Sequence, residues 1–304
     1  FTALLVWLKK HTGQTIAIRF VMEVTGVYHE SLVYFLDDNG YELSVVMPNK
    51  ISNYFRTLTV KTITDKTASE AITMFGLERK LDRWQRPKPV YKSMRQLTRE
   101  RDQIVEERTM VKNHLHAELI EPVPNKNSIQ RIKERIKMLN RQEEEIKSEI
   151  TALIKRDDQL AGDISIISSL TGIGELTAVT VLAETNGFEL IRNKRQLASY
   201  AGFDVKEKQS GTSVKGKSRI SKKGNKHIRK AMYLPSLSAI RHDERFKAIF
   251  TRLVSKHGIK MKAAVAVQRK MLELMFILFK TRVPYKKNYL STTSLQPEKN
   301  IETI

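Results

Sequence analysis

The chain has 304 residues, 40% of them hydrophobic and 29% charged, with no cysteine and a net charge of +21 (pI near 10). Such a length supports two domains with sizeable cores and the composition excludes a disordered polymer, while the missing cysteines exclude a disulfide framework and a thiolate zinc site. The cationic excess predicts a polyanionic partner; with no secretory signal and no apolar run of the ~18 residues that a membrane span needs, that partner is expected to be DNA or RNA in the cytoplasm.

The chain begins at Phe1 inside an amphipathic helical pattern, Ala3 to Lys10, so an upstream segment is expected to be missing. Residues 15–26, "TIAIRFVMEVTG", form a β-rich apolar run that predicts a buried strand ending at Gly26. "YHESLVYFLDDNG" predicts a helix stopped by Asn39-Gly40, and "YELSVVMP" a second strand ended by Pro48. "NKISNYFRTL" and "KTASEAITMFGLERKL" predict helices, which makes residues 1–88 an α/β domain. "RWQRPKPVYK" (83–92) reads as a basic hinge.

The periodicity changes after the hinge. Residues 90–120 predict one long charged helix, broken by "EPVPNKNS". Ile129, Ile132, Ile136, Leu139, Ile146, Ile150 and Leu153 then keep a 3-4 spacing interrupted at Glu143, which predicts an antiparallel hairpin or coiled coil over 89–158. A plain helix packed on a globular domain is the alternative. Residues 159–282 read as mostly helical: helix, Gly-turn and helix around "LTGIGELTA", a helix in "RNKRQLASYAGF", a β-like hairpin or loop in the basic stretch, then helices in "GNKHIRKAMYLPSLSAIR", "ERFKAIFTRLVSKHG" and "KMKAAVAVQRKMLELMFILFKT". Residues 283–304 read as a loose tail.

Four segments could carry chemistry. Glu23 closes an apolar strand, where a carboxylate is costly unless paired, metal-bound or turned to solvent. Asp65, at or just before a helix start, is a helix cap or, with Glu23 and Glu70, a hard oxygen ligand for Mg²⁺ or Mn²⁺. Gly172-Ile173-Gly174 fits a helix-hairpin-helix turn that brings backbone amides to a phosphate, or a tight connection and no more. Residues 206–230 carry ten Lys or Arg against one Glu: Lys206, Lys208, Lys215, Lys217, Arg219, Lys222, Lys223, Lys226, Arg229 and Lys230. Such a run neutralises phosphates. Within it Ser210 precedes Gly211, either as a turn or as a hydroxyl activated toward phosphorus.

In their order these pieces resemble insertion-sequence transposases of the IS-one-ten family, relatives of the Piv invertases. The matching residues are "VMEVTGVYHESLVYFL", "KTITDKTASEAI", "TGIGELTAVTVLAE", "RQLASYAGF" and "KQSGTSVKGKSRISKKGNKHIRKAMY", within a resemblance that spans roughly residues 1–282. The resemblance implies α/β plus mainly α architecture: an incomplete RNase H/RuvC-like N-terminal domain, a coiled-coil linker and a helical transposase domain with a helix-hairpin-helix-like element. It implies an Asp-Glu-Asp-Asp metal site in which Glu23 is the second acid and Asp65 the third. The first acid belongs to a strand that precedes this pattern, and the fourth falls on Ala68; both departures point to an impaired site. It further implies that Ser210, ahead of Ser199 and Ser213, is the nucleophile forming a phosphoserine link to DNA. A guide (bridge) RNA selects the DNA, Mg²⁺ stabilises the phosphate charge, and a homodimer or homotetramer draws acids and serine from different subunits. Two rivals remain: a RuvC-like Holliday-junction resolvase or nuclease, which needs no serine, and a non-catalytic nucleic-acid-binding protein.

Overall fold

The computed structural model describes residues 1–12, 16–24, 26–59, 62–207, 209–210, 214–215 and 219–287. The chain divides into two compact units at the Arg86–Pro87 bond.

In the first unit, α1 (Thr2–His11) precedes β1 (Arg19–Glu23), α2 (Glu30–Asp38), β2 (Glu42–Val46), α3 (Pro48–Phe55) and α4 (Asp65–Glu78). The two strands pair in parallel, with Phe20 opposite Leu43 and Glu23 opposite Val46. Both faces of the pair are covered, as parallel strands require. Phe20 and Met22 pack with Val33, Leu36 and Leu43 on the α2 side, and Val21 packs with Val46, Ile51, Phe55 and Ala71 on the α3–α4 side. A Cβ on Gly76 of α4 would lie 2.7 Å from Val21 Cγ2, so glycine lets the helix approach. The predicted strand over 15–26 is thus five residues, with 13–15 and 25 outside the described residues. Gly40 at φ +77° ends α2 as expected. Pro48 does more than stop β2: it starts α3, where a missing N–H costs nothing. The hinge segment runs onto this unit, with the Trp84 amide donating to Leu43 O at 2.8 Å and Arg86 pairing with Asp37 and Asp38.

The second unit opens with α5 (Pro89–Ile120) and α6 (Lys126–Lys155), which pack against each other across the turn 121–125. Asn125 caps α6 by accepting from the amides of Asn127 and Ser128. Leu139, Ile146 and Ile150 are buried as their spacing predicts, whereas Ile129, Ile132, Ile136 and Leu153 are half-buried and Ile154 takes an inner place. Glu143 does not interrupt the seam; it lies in it, 4% exposed, held by Arg101 and Arg108 of α5 and by Lys147. Burial opposes the charged carboxylate, but the Arg108 hydrogen bond and the three neighbouring cations outweigh it and hold its pKa below the usual range.

α7 (Asp158–Ser168), α8 (Glu175–Thr185) and α9 (Lys194–Ala201) lead into the basic ribbon of β3 (Val205–Lys206), β4 (Gln209–Ser210), β5 (Val214–Lys215) and β6 (Arg219–Ile220). α10 (Lys226–Ala231), α11 (Tyr233–His242), α12 (Glu244–His257) and α13 (Lys260–Thr281) follow. One core joins Tyr91, Met94 and Ile150 at the hairpin's base to Leu182, Phe188, Phe203, Met271 and Met275 of the helices. The single helix expected over 224–241 is two, because Pro235 has no amide for the Ala231 carbonyl. The tail expected to be loose from 283 is held as far as Tyr285. Its amide donates to Ser169 Oγ at 2.7 Å and its hydroxyl to Asp243 at 3.0 Å; residues 288–304 lie outside the described residues.

Candidate functional site

Glu23 stands half-buried at the C-terminal end of β1, and the next amide, Val24, donates to Val46 O at 2.9 Å. Asp65 is the first residue of α4 and exposed. The cap is Thr64, which accepts from the Thr67 amide in a reciprocal box. Asp65 is therefore released from the capping role, while its charge still favours the positive end of the helix. Ala68, one turn on and on the same face, packs against the cluster of Val46, Ile51, Phe55 and Ala71. Glu70 is exposed, and at ~100° per residue it points ~200° away from position 68, so α4 does not bring it to the place of the missing acid.

The Gly-turn divides into two functions. Gly172, at φ +91°, presses on α11: a Cβ there would lie 2.5 Å from Pro235 O, so packing alone demands glycine. Gly174 is the N-cap of α8, and a Cβ there would meet open space.

The basic ribbon pairs Val205 with Ile220 and Lys206 with Arg219 at its root, and Gln209 with Lys215 and Ser210 with Val214 further out. Ser210 is thus placed by its backbone on β4; Lys208, Lys217 and Ser213 lie outside the described residues. Ser199 is exposed on α9. Lys206, Arg219, Lys222, Lys223 and Lys226 are exposed. Two cations of the run are committed to the protein. Arg229 Nη1 donates to Ala201 O at 2.7 Å, and Lys230 pairs with Glu106 at 2.9 Å and Asp102 at 3.3 Å. Burial lowers the Lys230 pKa, but the hydrogen bonds and charges of those two acids outweigh it and hold it above its ordinary value.

Residue patterns missed what anchors this segment. Glu184 at the end of α8 receives Arg99 Nε at 2.7 Å, Arg99 Nη2 at 2.9 Å and Asn225 Nδ2 at 2.6 Å. Burial raises its pKa, but these donors and the nearby charges more than cancel that and leave it below the usual range. The only signal was a carboxylate closing the apolar run "TAVTVLAE".

Lys222, in the left-handed region at φ 53°, and Lys223 offer a direct test of contact with nucleic acid. Lys222→Asn, a side chain that tolerates this backbone, with Lys223→Gln should weaken binding to all sequences alike and lower the slope of log affinity against log salt by about one unit per lost phosphate contact. An unchanged slope across a salt titration would place both lysines off the nucleic acid.

A family model described as "Transposase IS116/IS110/IS902 family" matches residues 164–251, and an IS110 transposase model of the DEDD type matches residues 1–124. The pilin gene-inverting proteins of Moraxella bovis and Moraxella lacunata are each 25% identical over 292 residues, covering 94% of this chain and 88% of theirs. An insertion element IS110 uncharacterized 43.6 kDa protein of Streptomyces coelicolor is 24% identical over 121 residues, 40% of this chain and 30% of its own length. The DEDD match points to use of a divalent metal. Among the described residues, however, no group of three or more His, Cys, Asp or Glu is placed to hold an ion, and two carboxylates with a methyl group at position 68 do not complete a site. IS110-type models match both parts of the chain and the Moraxella matches run most of its length: the chain carries IS110-family transposase domains and is a DNA recombinase.

Proposed function

We propose that this transposase cuts and rejoins DNA strands through a phosphoserine formed by Ser210, on sites chosen by a guide RNA. The observation that carries the reading is the placement of Ser210 on a ribbon whose root and flanks are cationic and exposed. Its hydroxyl oxygen attacks a DNA phosphorus, its proton passes to solvent, and the displaced DNA oxygen leaves as a hydroxyl. The ester energy is retained in the serine–phosphate bond, so a second strand's hydroxyl reverses the step without a further reactant. The exposed lysines hold phosphates and offset the charge developing on the reacting one. RNA guidance is supported by the family resemblance and by a cationic surface that suits the backbone of either nucleic acid, leaving sequence to base pairing. Glu23 and Asp65 would be two of the acids of a metal-dependent half that needs a further carboxylate at position 68, and their hard oxygens would favour Mg²⁺ or Mn²⁺. The working protein on this reading is a dimer or tetramer.

A nicked suicide DNA that cannot religate tests the reading in the full-length protein with guide RNA and Mg²⁺. A covalent adduct mapping to Ser210 is expected. Its yield should be low with Ala68 and rise in Ala68→Asp. An adduct persisting in Ser210→Ala would move the nucleophile to Ser199 or Ser213, and DNA cleavage with no adduct in either protein would favour the nuclease reading.

A further inference from the structure

Glu184 is 1% exposed amid the main apolar core, and DNA cutting and rejoining do not use it directly. A buried carboxylate is costly unless its acceptors are filled. Here Arg99 fills both oxygens and Asn225 adds a third hydrogen bond. A glutamine of the same shape could not accept from all three donors, because one of its two end groups is itself a donor.

The bond to Glu184 fixes which way the Asn225 amide faces. With Nδ2 given to the carboxylate, Oδ1 accepts from the amides of His227 at 2.9 Å and Ile228 at 3.1 Å and so caps α10. The Asn225 amide donates to Tyr200 O at 2.7 Å, and the Tyr200 hydroxyl returns to Glu184 O at 2.7 Å, which closes the circuit. Beside it two glycines meet: a Cβ on Gly224 would lie 2.5 Å from Gly202 N and Tyr200 O, and Gly202 O accepts from the Lys222 amide at 3.2 Å. The chain from β6 to α10 is therefore tied through Lys222 and Asn225 to the end of α9 and through Asn225 to α8, while Lys222, Lys223 and Lys226 remain exposed on it.

We propose that Glu184 is the positioning residue of the basic ribbon: through Arg99 and Asn225 it fixes the start of α10, and with it the ribbon's root and the direction in which the exposed lysines and β4 are presented. The catalytic half of this inference rests on the serine reading above; the placement of the lysines does not. A root held before DNA arrives spares ordering on binding, and a small displacement of a reacting group costs up to ~100-fold in rate.

Reversing the polarity of one bond tests it in the full-length protein. Asn225→Asp keeps the cap but sets two carboxylates together, and Glu184→Gln sets donor against donor. The pair Glu184→Gln with Asn225→Asp restores a donor facing an acceptor. Each single change should lower recombination about 10- to 100-fold and lower the salt slope of DNA binding by no more than the loss of the Lys222 and Lys223 contacts does. Each should also raise hydrogen exchange over 219–230 and leave α13 protected. The pair should recover part of the activity, since contacting residues couple strongly, while Arg99 Nη2, which shares Glu184 Oε2 with Asn225, is left facing the glutamine NH2 group. Normal recombination in the single variants, no recovery in the pair, or exchange rising in α13 together with the ribbon would each overturn the inference, the last by making the cluster ordinary core. Normal recombination in Ser210→Ala alongside defective clamp variants would sink the serine reading and leave this one standing.

Discussion

Ser210→Ala should reduce recombination on the order of a thousandfold or more, because a covalent nucleophile has no substitute within its own step. DNA affinity should stay within about twofold, since the change removes one oxygen and no charge. The contrast with Lys222 and Lys223 makes the experiment decisive. Those residues are expected to move affinity and its salt dependence, whereas Ser210 moves rate alone. Recombination assayed in parallel with a salt titration reads both quantities from one preparation. Recombination by Ser210→Ala at a tenth of the parent rate or better would remove Ser210 from the chemistry.

Glu143→Ala should destabilise the second unit by about 3–5 kcal/mol, the cost of stranding buried charge when one partner of a pair is removed. Arg101 and Arg108 would face each other with no carboxylate between them. Replacing all three residues by apolar ones of similar volume should be close to neutral, which separates the cost of an unpaired charge from the value of the pair. Acid acts on the same group. Glu143 and Glu184 are both held below the usual carboxylate value of 4.5, so their contribution is complete above that pH and is lost as pH falls through their lower folded values. Denaturant midpoints measured downward from pH 6 should therefore fall chiefly below about pH 4.5, and less steeply in Glu143→Ala. Parallel curves for the two proteins would show that Glu143 carries no such linkage.

Much of the architecture was legible along the chain because it depends on neighbours. The stop at Asn39-Gly40, the break at 121–125 and the 3-4 spacing of the hairpin are all local. The density of lysine over 206–230 was equally plain, as was the position of Glu23 at a strand end. What stayed hidden depends on distant partners. Arg99 and Glu184 are 85 residues apart, and nothing near either announces the other. Glu143 reads as a fault in a heptad until the two arginines of α5 are opposite it. Arg229 and Lys230 look like their neighbours in sequence, yet a carbonyl and two carboxylates claim them. Asp65 was one residue too far along to be the cap, a distinction that needs the Thr64–Thr67 geometry.

The seated Glu143 has a consequence for length. Two long helices with an apolar seam can slide by a turn, ~5.4 Å, and still bury hydrocarbon. A carboxylate that finds its arginines in one alignment alone removes that freedom. The hairpin then works as a ruler: α5, at 32 residues, measures ~48 Å from its first residue to the turn.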